Sequence, residues 1–572
     1  MFGTNWTGSE RKYEVIVEDN VKIKVRDGTA LNATIVRPKS SGRVPGILGI
    51  HPYDPDQSPA IKTVPFFPST AGSTRGGPEK ANGPYESGDS LFYAQRGYAH
   101  IICNVRGTGL SEGKYDFLGK QEVQDIYDVI EWIAAQNWCD GNVGMFGVSY
   151  FAIAQKRVAS LNPPHLKCIF APWAYTDPYR HSHYHGGIFH FYSGTWRTLI
   201  DRPRLQVLTR NYMSVQEFAK AIQDALNDPE INQIPEVVQA LKNPDEGTNP
   251  IVVDVVLNKY YNAFWEERTT DHAPIKVPSY VGADWAVYGL HLPGSFRSWE
   301  EIDAPKKLTI SPPVPLDRPL HQLQYESLRW FDYWLKGIEN GVMKTPPVNV
   351  YVMGSGEWKS SSNWPLPETV WLPFYLHERS ELSEHELRVN EGGDSYDDSP
   401  WSRGYLEYYS PKIVDGVEVI GPIVLNLYAS TTDQEVLWFV SLRDVDPDGR
   451  EKVLTRGWLR GSQREVDKSK SRPWEPYHPH NRSVPLEPNK VYEFNIGLVP
   501  TANMFKFGHK IALKISSWED AASTTSESLA TKHIKRQKPA RITIFHSSEH
   551  PSNLVLPVTR GNVIGTWVAP EV

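Results

Sequence analysis

A glycine–serine turn between a buried strand and a helix constrains this chain more than any other sequence feature. Residues 143–146 are an apolar run short enough for a buried strand, and residues 150–160 have the pattern of a helix. The turn Gly147-Val148-Ser149 separates them. A serine on such a turn stands above the carboxyl edge of a parallel sheet, and the next backbone N–H stays free. The turn predicts a nucleophilic serine, with an ordinary Gly-Ser turn as the open alternative.

The segments around this turn predict an α/β fold. Alternating residues predict antiparallel leading strands, whereas continuous apolar runs predict strands covered by helices on both faces. The leading strands are expected at residues 13–17, 21–25 and 31–36, the buried strands at 44–50 and 98–103, and a helix at 122–136. Alternation of strand and helix favours a parallel sheet with helical crossovers.

An insertion follows the predicted strand at residues 167–171. Residues 175–265 break the strand–helix rhythm, contain helical patterns, and are rich in histidine and aromatic residues. We expect a helical cap over a substrate pocket. The alternating histidines His181, His183 and His185 raise metal binding as an alternative, but no carboxylate or cysteine stands at ligand spacing, so no metal is predicted.

The sheet is expected to resume at residues 277–283 and 307–310, and a helix at 321–336 closes the unit. Asp284 follows the first of these strands, and Asp317 and His321 follow the second. In hydrolases built on such a turn the acid follows the serine and the histidine comes last. Ser149, Asp284 and His321 obey that order.

From Pro346 onward, short alternating runs between turn residues predict an antiparallel β sandwich of the jelly-roll kind. The predicted domains are a hydrolase domain in two parts (residues 1–174 and 266–345), the cap (175–265) and the jelly roll (346–572).

Composition narrows the function classes. A net charge of −7 over 572 residues gives no signal for nucleic-acid binding, and no apolar stretch is long enough to span a bilayer. Three cysteines without paired spacing are expected to be buried thiols in a reducing compartment, so a cytoplasmic location is predicted.

Five motifs together resemble the cocaine-esterase-like (CocE/NonD) hydrolases, relatives of the X-prolyl dipeptidyl aminopeptidases. The motifs are residues 51–53 (His-Pro-Tyr), 106–113, 138–150, 329–337 and 504–510. The resemblance covers nearly the whole chain. It implies an α/β-hydrolase domain, a helical cap and a C-terminal jelly roll that cleave ester or amide bonds through an acyl-serine.

The resemblance also assigns roles to residues. Ser149 would be the nucleophile, and the Tyr150 N–H and the Tyr53 O–H would bind the oxyanion. Phe151 stands where the elbow usually has glycine, so it is expected to crowd the turn and narrow the acyl side of the pocket. The further substrate-binding residues expected are Trp173, Trp285 and His291.

The acid and base motifs depart from the family pattern. Val287 stands at the family's acid position and Pro315 at its histidine position. His321 is the predicted base with His291 as the alternative, and Asp284 is the predicted acid with Asp317 next. A serine without a base is a poor nucleophile, so loss of hydrolysis stays open.

The function predicted is a serine hydrolase for a small carboxylic ester or amide, with no metal and no cofactor. The expected partner is that small molecule, not nucleic acid or membrane, and a homodimer stays open. The alternatives are a pseudo-hydrolase kept for binding or for a non-hydrolytic acyl transfer or rearrangement, and a carbohydrate-binding protein led by the jelly roll.

Overall fold

The structure is a computed structural model that describes residues 6–40, 42–53, 85–196, 200, 205–313, 317–385, 392–402, 404–520 and 532–561. For residues 193, 195 and 317–322 only the backbone is described. Pro315 and the side chains of Asp317 and His321 therefore lie outside the described part of the chain.

The first half of the chain is organised around one large sheet. Its strands are β1 (Val15–Lys24), β2 (Ala30–Pro38), β3 (Val44–His51), β4 (Ala99–Asn104), β5 (Cys139–Phe146), β6 (Leu166–Pro172), β9 (Ser279–Asp284), β10 (Lys306–Ser311), β11 (Val348–Val352) and β12 (Glu357–Ser361), and a separate hairpin consists of β7 (Tyr184–His185) and β8 (Ile188–Phe189). In the described residues the sheet order is β1-β2-β4-β3-β5-β6-β9-β10-β11-β12. All neighbours from β4 to β11 run parallel, and the outer strands are antiparallel.

Helices cover this sheet and build the cap. They are α1 (Ser90–Ala94), α2 (Lys120–Ala134), α3 (Tyr150–Ala159), α4 (Tyr192–Trp196), α5 (Val215–Asn227), α6 (Pro235–Lys242), α7 (Asn249–Leu257), α8 (Ala263–Arg268), α9 (Leu292–Glu301) and α10 (Asp317–Lys336). Helices α2, α3, α9 and α10 contact the parallel strands. The apolar runs that predicted buried strands do lie between helices, because both faces of a parallel sheet must be covered.

The leading strands differ from the expectation. Residues 13–17 and 21–25 are not two strands but parts of the one strand β1, whose register against β2 shifts between Glu18 and Val21. Asn20, at that irregularity, has a φ of 56°. A bulge of this kind interrupts the alternation of side chains, which is why the pattern resembled two strands separated by a turn.

The cap contains the predicted helices α5 and α6, together with the β7–β8 hairpin. Its predicted histidine run packs against the second half of the chain: His185 Nδ1 lies 2.9 Å from His533 Nε2, and the His185 ring stacks on Trp458. His181 Nδ1 accepts weak hydrogen bonds from the N–H groups of Thr176 and Asp177. His185 therefore holds the cap to the C-terminal half, whereas the bonds of His181 lie within the cap.

The C-terminal half is a single curled sheet. Its strands are β13 (Val370–His377), β14 (Glu381–Ser383), β15 (Gly393–Asp398), β16 (Tyr405–Tyr409), β17 (Val417–Thr431), β18 (Leu437–Val445), β19 (Glu451–Arg460), β20 (Tyr492–Phe505), β21 (Lys510–Ser516), β22 (Ala540–Ser547), β23 (His550–Pro551) and β24 (Asn553–Arg560). The described strands run from β17 through β20, β19, β18, β21, β16, β14 and β13 to β24, which pairs with β17 again. The predicted β-rich, jelly-roll-like domain is confirmed.

The first sheet continues past the predicted domain boundary at residue 345. Strand β11 pairs in parallel with β10, and β12 pairs with β11, so the hydrolase sheet extends to Ser361. The alternating burial of β11 is the same as that of a sandwich strand, and the sequence pattern could not assign it to one sheet or the other. Among the described residues, no helix combines the length and apolar character needed to cross a membrane.

Candidate active site

The turn after β5 places Ser149 at the start of helix α3. Ser149 has φ 58° and ψ −124°, a conformation that a non-glycine residue adopts only under strain. Its N–H donates to the Trp173 carbonyl at 2.8 Å, and its side chain is almost fully buried. Strain held by the surrounding structure at this turn matches the geometry of a nucleophile elbow.

Gly147 makes the turn possible. Its φ is 140°, and a Cβ there would lie 2.4 Å from the Cβ of Phe151. We expect Gly147→Ala to lower the free energy of unfolding by about 2–4 kcal/mol, because strain and overlap add. Denaturant unfolding would measure the loss, and Gly28→Ala is the matched control, since Gly28 has φ 87° but open space around it. Equal losses in both variants would contradict a steric role for Gly147.

An imidazole reaches the Ser149 hydroxyl, and it belongs to His291. The distance from Ser149 Oγ to His291 Nε2 is 3.2 Å, and both residues are N-caps, of α3 and α9 respectively. His291 is the residue that the sequence offered as the alternative base. The side chain of His321 is not described, so its assignment as base stays a prediction.

A close approach of two chain segments sets the position of His291. A Cβ on Gly294, in the first turn of α9, would lie 2.3 Å from the carbonyl oxygen of Ala174, just after β6. Ser295 Oγ donates to the Gly282 carbonyl of β9 at 2.7 Å. These contacts hold the α9 N-terminus against the carboxyl edge of the sheet, where Ser149 stands.

Burial controls the charge of His291. Desolvation, followed by the nearby Lys156, lowers its pKa from 6.5 to about 3. The imidazole is therefore neutral at neutral pH and able to accept a proton. Its Nδ1 is buried and has no hydrogen-bond partner among the described residues.

Asp284 does not contact this imidazole. Its Oδ2 accepts a hydrogen bond from the Trp173 indole N–H at 2.9 Å, and its Oδ1 accepts from the N–H groups of Ala286 (2.7 Å) and Val287 (3.1 Å). No hydrogen bond that the described residues make to this carboxylate comes from an imidazole. The carboxylate thus closes the turn after β9. Its predicted partner was His321, whose side chain is not described, so the role of orienting the base stays a prediction.

Burial raises the pKa of Asp284 to about 7, against the effect of its three donors. Trp173 links this carboxyl to the nucleophile, since its carbonyl binds the Ser149 N–H and its own N–H donates to the Gly282 carbonyl at 2.7 Å. We therefore see Trp173 as a structural link between β9 and the elbow, where the sequence predicted a substrate contact.

The two predicted oxyanion donors, the Tyr53 phenol and the Tyr150 N–H, belong to residues next to Ser149. The Tyr53 phenol is buried, accepts a hydrogen bond from the Trp196 indole N–H at 3.4 Å, and interacts with Ser149. Burial raises the Tyr53 pKa well above 10, while Trp196 and Ser149 act in the opposite direction. The phenol thus keeps its proton at neutral pH. The N–H of Tyr150, first residue of α3, has no acceptor within the helix.

The side chain of Tyr150 points into a buried network that the sequence analysis missed. Its hydroxyl accepts from Tyr115 at 2.8 Å and donates to Glu122 at 2.7 Å and 2.8 Å. Burial raises the pKa of Glu122 to about 8. Glu122 lies on the apolar stripe of α2. A carboxyl group among predicted core positions is the sequence signal that could have revealed this network.

Glu86 is a second buried carboxyl that the sequence analysis did not single out. Burial raises its pKa to about 8, its Oε2 has no partner among the described residues, and its charge would act on Tyr53. Its carbonyl accepts a hydrogen bond from Val148, next to the nucleophile, at 3.2 Å. Nothing in the local sequence marks this residue.

The remaining predicted substrate residues are both buried. The Phe151 ring stacks on His51 with centroids 4.8 Å apart and packs closely on the elbow glycine, which agrees with the expected crowding. Trp285 donates its indole N–H to the Tyr351 carbonyl at 2.6 Å and lies beside Phe296. In the described residues, Trp285 therefore serves the packing between β9 and β11.

Residues 27–314 match the X-Pro dipeptidyl-peptidase (S15) family, and residues 340–555 match the C-terminal non-catalytic domain of X-Pro dipeptidyl-peptidases. The chain belongs to the S15 family. Cocaine esterase of Rhodococcus sp. (strain MB1 Bresler) is 27% identical over 95% of this chain and 99% of its own length. A putative Xaa-Pro dipeptidyl-peptidase of Bacillus anthracis is 26% identical over 85% of this chain and 80% of its own.

Among solved structures, a CocE/NonD family hydrolase from Staphylococcus aureus superposes with a TM-score of 0.79 at 26% identity, covering 96% of this chain and 94% of that one. The S15 membership and these relatives confirm the predicted family, the hydrolase fold with its β-rich C-terminal domain, and the class of enzyme: a serine hydrolase for ester or peptide bonds.

Proposed function

We propose that this chain cleaves a small carboxylic ester through an acyl-serine intermediate, with Ser149 as nucleophile and His291 as general base. The observation that carries the proposal is the 3.2 Å contact between Ser149 Oγ and His291 Nε2 at the start of two helices. A neutral imidazole at this distance can take the hydroxyl proton as the new C–O bond forms.

Each step uses a group already in place. Ser149 Oγ attacks the acyl carbon while its proton moves to His291 Nε2, and the oxyanion is bound by the Tyr53 O–H and the Tyr150 N–H. The imidazolium then protonates the leaving alcohol. A water molecule then attacks the acyl carbon while its proton moves to His291 Nε2. The imidazolium returns this proton to Ser149 Oγ, and the carboxylic acid is released.

An ester fits this site better than an amide. No carboxylate among the described residues bonds the Nδ1 of this imidazolium, and burial and Lys156 both oppose its charge. Expulsion of an amine needs more complete protonation of the leaving group than expulsion of an alcohol does. An imidazolium that is poorly stabilised therefore slows amide cleavage more than ester cleavage. Cocaine esterase, which is 27% identical over 95% of this chain, is named as an esterase, and this supports an ester as substrate here.

The free cysteines suit a cytoplasmic location. Cys103, Cys139 and Cys168 are buried free thiols, which is typical of a reducing compartment. A homodimer stays a prediction. A second candidate function is an altered hydrolase used for binding, and the observation that favours it is that the Nδ1 of His291 has no hydrogen-bond partner in the described part of the chain.

The test is labelling with a fluorophosphonate, which reports an activated serine without a choice of substrate. We expect wild type to gain one adduct, mapped by peptide mass to Ser149, and Ser149→Ala to gain none. Ser160→Ala, at the opposite end of α3, is the matched control and should label like wild type, because Ser160 is the C-cap of that helix. Folded wild-type protein that stays unlabelled would favour the binding function.

Substrate preference is tested next with a matched pair, 4-nitrophenyl butyrate and the corresponding anilide. We expect the ester to be cleaved at least about 100-fold faster in kcat/KM, because its leaving group needs less protonation. Equal rates would contradict the ester assignment while leaving the acyl-serine mechanism intact.

A further inference from the structure

Helices α3 and α9 contact each other at two levels. At their N-terminal ends Ser149 lies 3.2 Å from His291. Seven residues later in each helix, which is about two turns, Lys156 Nζ donates to Ser298 Oγ at 2.8 Å. Because seven residues return to the same helix face, the second contact continues the first along the same seam.

Lys156 is a buried amine with an unusual environment. It is fully buried, and no carboxylate pairs with it among the residues that the structure describes. A buried ammonium without a counter-charge is costly, so desolvation lowers its pKa from 10.5 to about 7. The Ser149–His291 mechanism makes no use of this group.

A chain of hydrogen bonds leads from Lys156 to the surface. Ser298 Oγ lies 3.1 Å from His272 Nε2, and His272 Nδ1 lies 2.7 Å from Glu301 Oε2. Ser298 and His272 are buried, whereas the Glu301 side chain is 38% exposed. In its present rotamer the Ser298 hydroxyl donates to the Gly294 carbonyl at 2.6 Å, and a rotation would direct it to His272.

We propose that Lys156 sets the basicity of His291, and that Ser298, His272 and Glu301 exchange the lysine proton with solvent. Lys156 passes a proton to Ser298 Oγ as Ser298 passes its own to His272 Nε2, and His272 releases its Nδ1 proton to Glu301. Glu301 then releases this proton to solvent, so that one proton leaves the protein and Lys156 becomes neutral; the reverse path restores the ammonium. The inference rests on the proposed role of His291 and extends it.

The electrostatic reason is that no carboxylate in the described part of the chain bonds His291. A positive Lys156 repels the imidazolium that forms at each proton transfer, whereas the neutral amine does not. Among the described residues, the ionisable groups linked to the lysine through Ser298 are His272, from the segment before β9, and Glu301 with its partner Arg297, from α9. Glu301 is occupied by His272 and Arg297, so it does not offset the charge of Lys156 at His291.

The experiment measures the rate of fluorophosphonate labelling of Ser149 between pH 5.5 and pH 9. In wild type we expect the rate to rise through about pH 7, by up to about tenfold, the equivalent of one pKa unit. Lys156→Met should abolish this rise and label at pH 6 as fast as wild type does at pH 9. The exposed Lys276→Met is the matched control and should keep the wild-type profile.

Ser298→Ala is the second variant, because it keeps the helix contact while removing the lysine's hydrogen-bond acceptor. Without that acceptor the ammonium is less stable, so the rise should move to lower pH. The inference is overturned if the labelling rate of either Lys156→Met or Ser298→Ala still rises at the wild-type pH. It is also overturned if Lys156→Met is labelled more slowly than wild type by the same factor at every pH.

Thermal unfolding separates this inference from the proposed function. Between about pH 7 and pH 10.4 the unfolded chain keeps a proton on Lys156 that the folded chain has released, so stability should rise with pH. We expect the wild-type melting temperature to climb more steeply in that range than that of Lys156→Met. If wild type shows the steeper slope but is not labelled by the fluorophosphonate, only the acyl-serine step is refuted. If the melting temperatures of wild type and Lys156→Met rise with equal slopes, the buried neutral lysine is refuted.

Discussion

Replacing His291 with alanine should slow fluorophosphonate labelling of Ser149 by about 100- to 10,000-fold. The Nε2 of His291 lies 3.2 Å from the serine hydroxyl, and no other imidazole among the described side chains hydrogen-bonds that hydroxyl. The measurement is the second-order rate of adduct formation, followed by intact mass at pH 8.

His321→Ala is the control for this experiment, because the sequence order alone favoured that residue as base. We expect it to label within about threefold of wild type. The opposite result, with His321→Ala slow and His291→Ala unaffected, would assign the base to residue 321. Asp284→Asn tests the acid: since its carboxylate contacts Trp173 and two backbone N–H groups, its effect should appear in the melting temperature before the labelling rate.

The second large effect is expected from Tyr53→Phe, which should lower kcat for ester cleavage by about 100- to 1,000-fold. The phenol O–H is buried beside Ser149 and keeps its proton, so it can donate to an oxyanion at once. The substitution removes the phenol oxygen and keeps the packing of the aromatic ring. KM should change little, because the donor acts on the charge that develops in the transition state.

A matched control for this substitution exists in the same domain. The Tyr93 hydroxyl is also buried, but it bonds Ser327 and takes no part in the site. Tyr93→Phe should leave kcat unchanged while costing about 1 kcal/mol of stability. If Tyr53→Phe raised KM and left kcat intact, Tyr53 would be a substrate contact and the oxyanion would depend on other donors.

Much of the hydrolase domain could be predicted from the sequence. The runs at residues 44–50 and 98–103 became β3 and β4, because continuous apolar stretches are stable only between two layers of helices. The end of the first sheet could not be predicted, because strand β11 has the same alternation as the jelly-roll strands. Which sheet a short strand joins is decided by pairing with a distant partner.

The candidate site divides in the same way. Ser149 and Tyr53 could be named from local motifs, since a strained turn needs Gly147 and a particular order of strand and helix. The missing family motifs at Val287 and Pro315 left the base open. Spacing along the chain could not choose between His291 and His321.

The sequence by itself determined the parallel sheet, the turn after β5 and the serine on it, because these depend on residues close together in the chain. Only the tertiary structure joined Ser149 to His291, which is 142 residues away, and placed Lys156 against Ser298. Gly294 allows that approach, since any side chain there would overlap the Ala174 carbonyl. A hydrogen bond forms at about 3 Å, and only packing of two helices brings such distant groups within that distance.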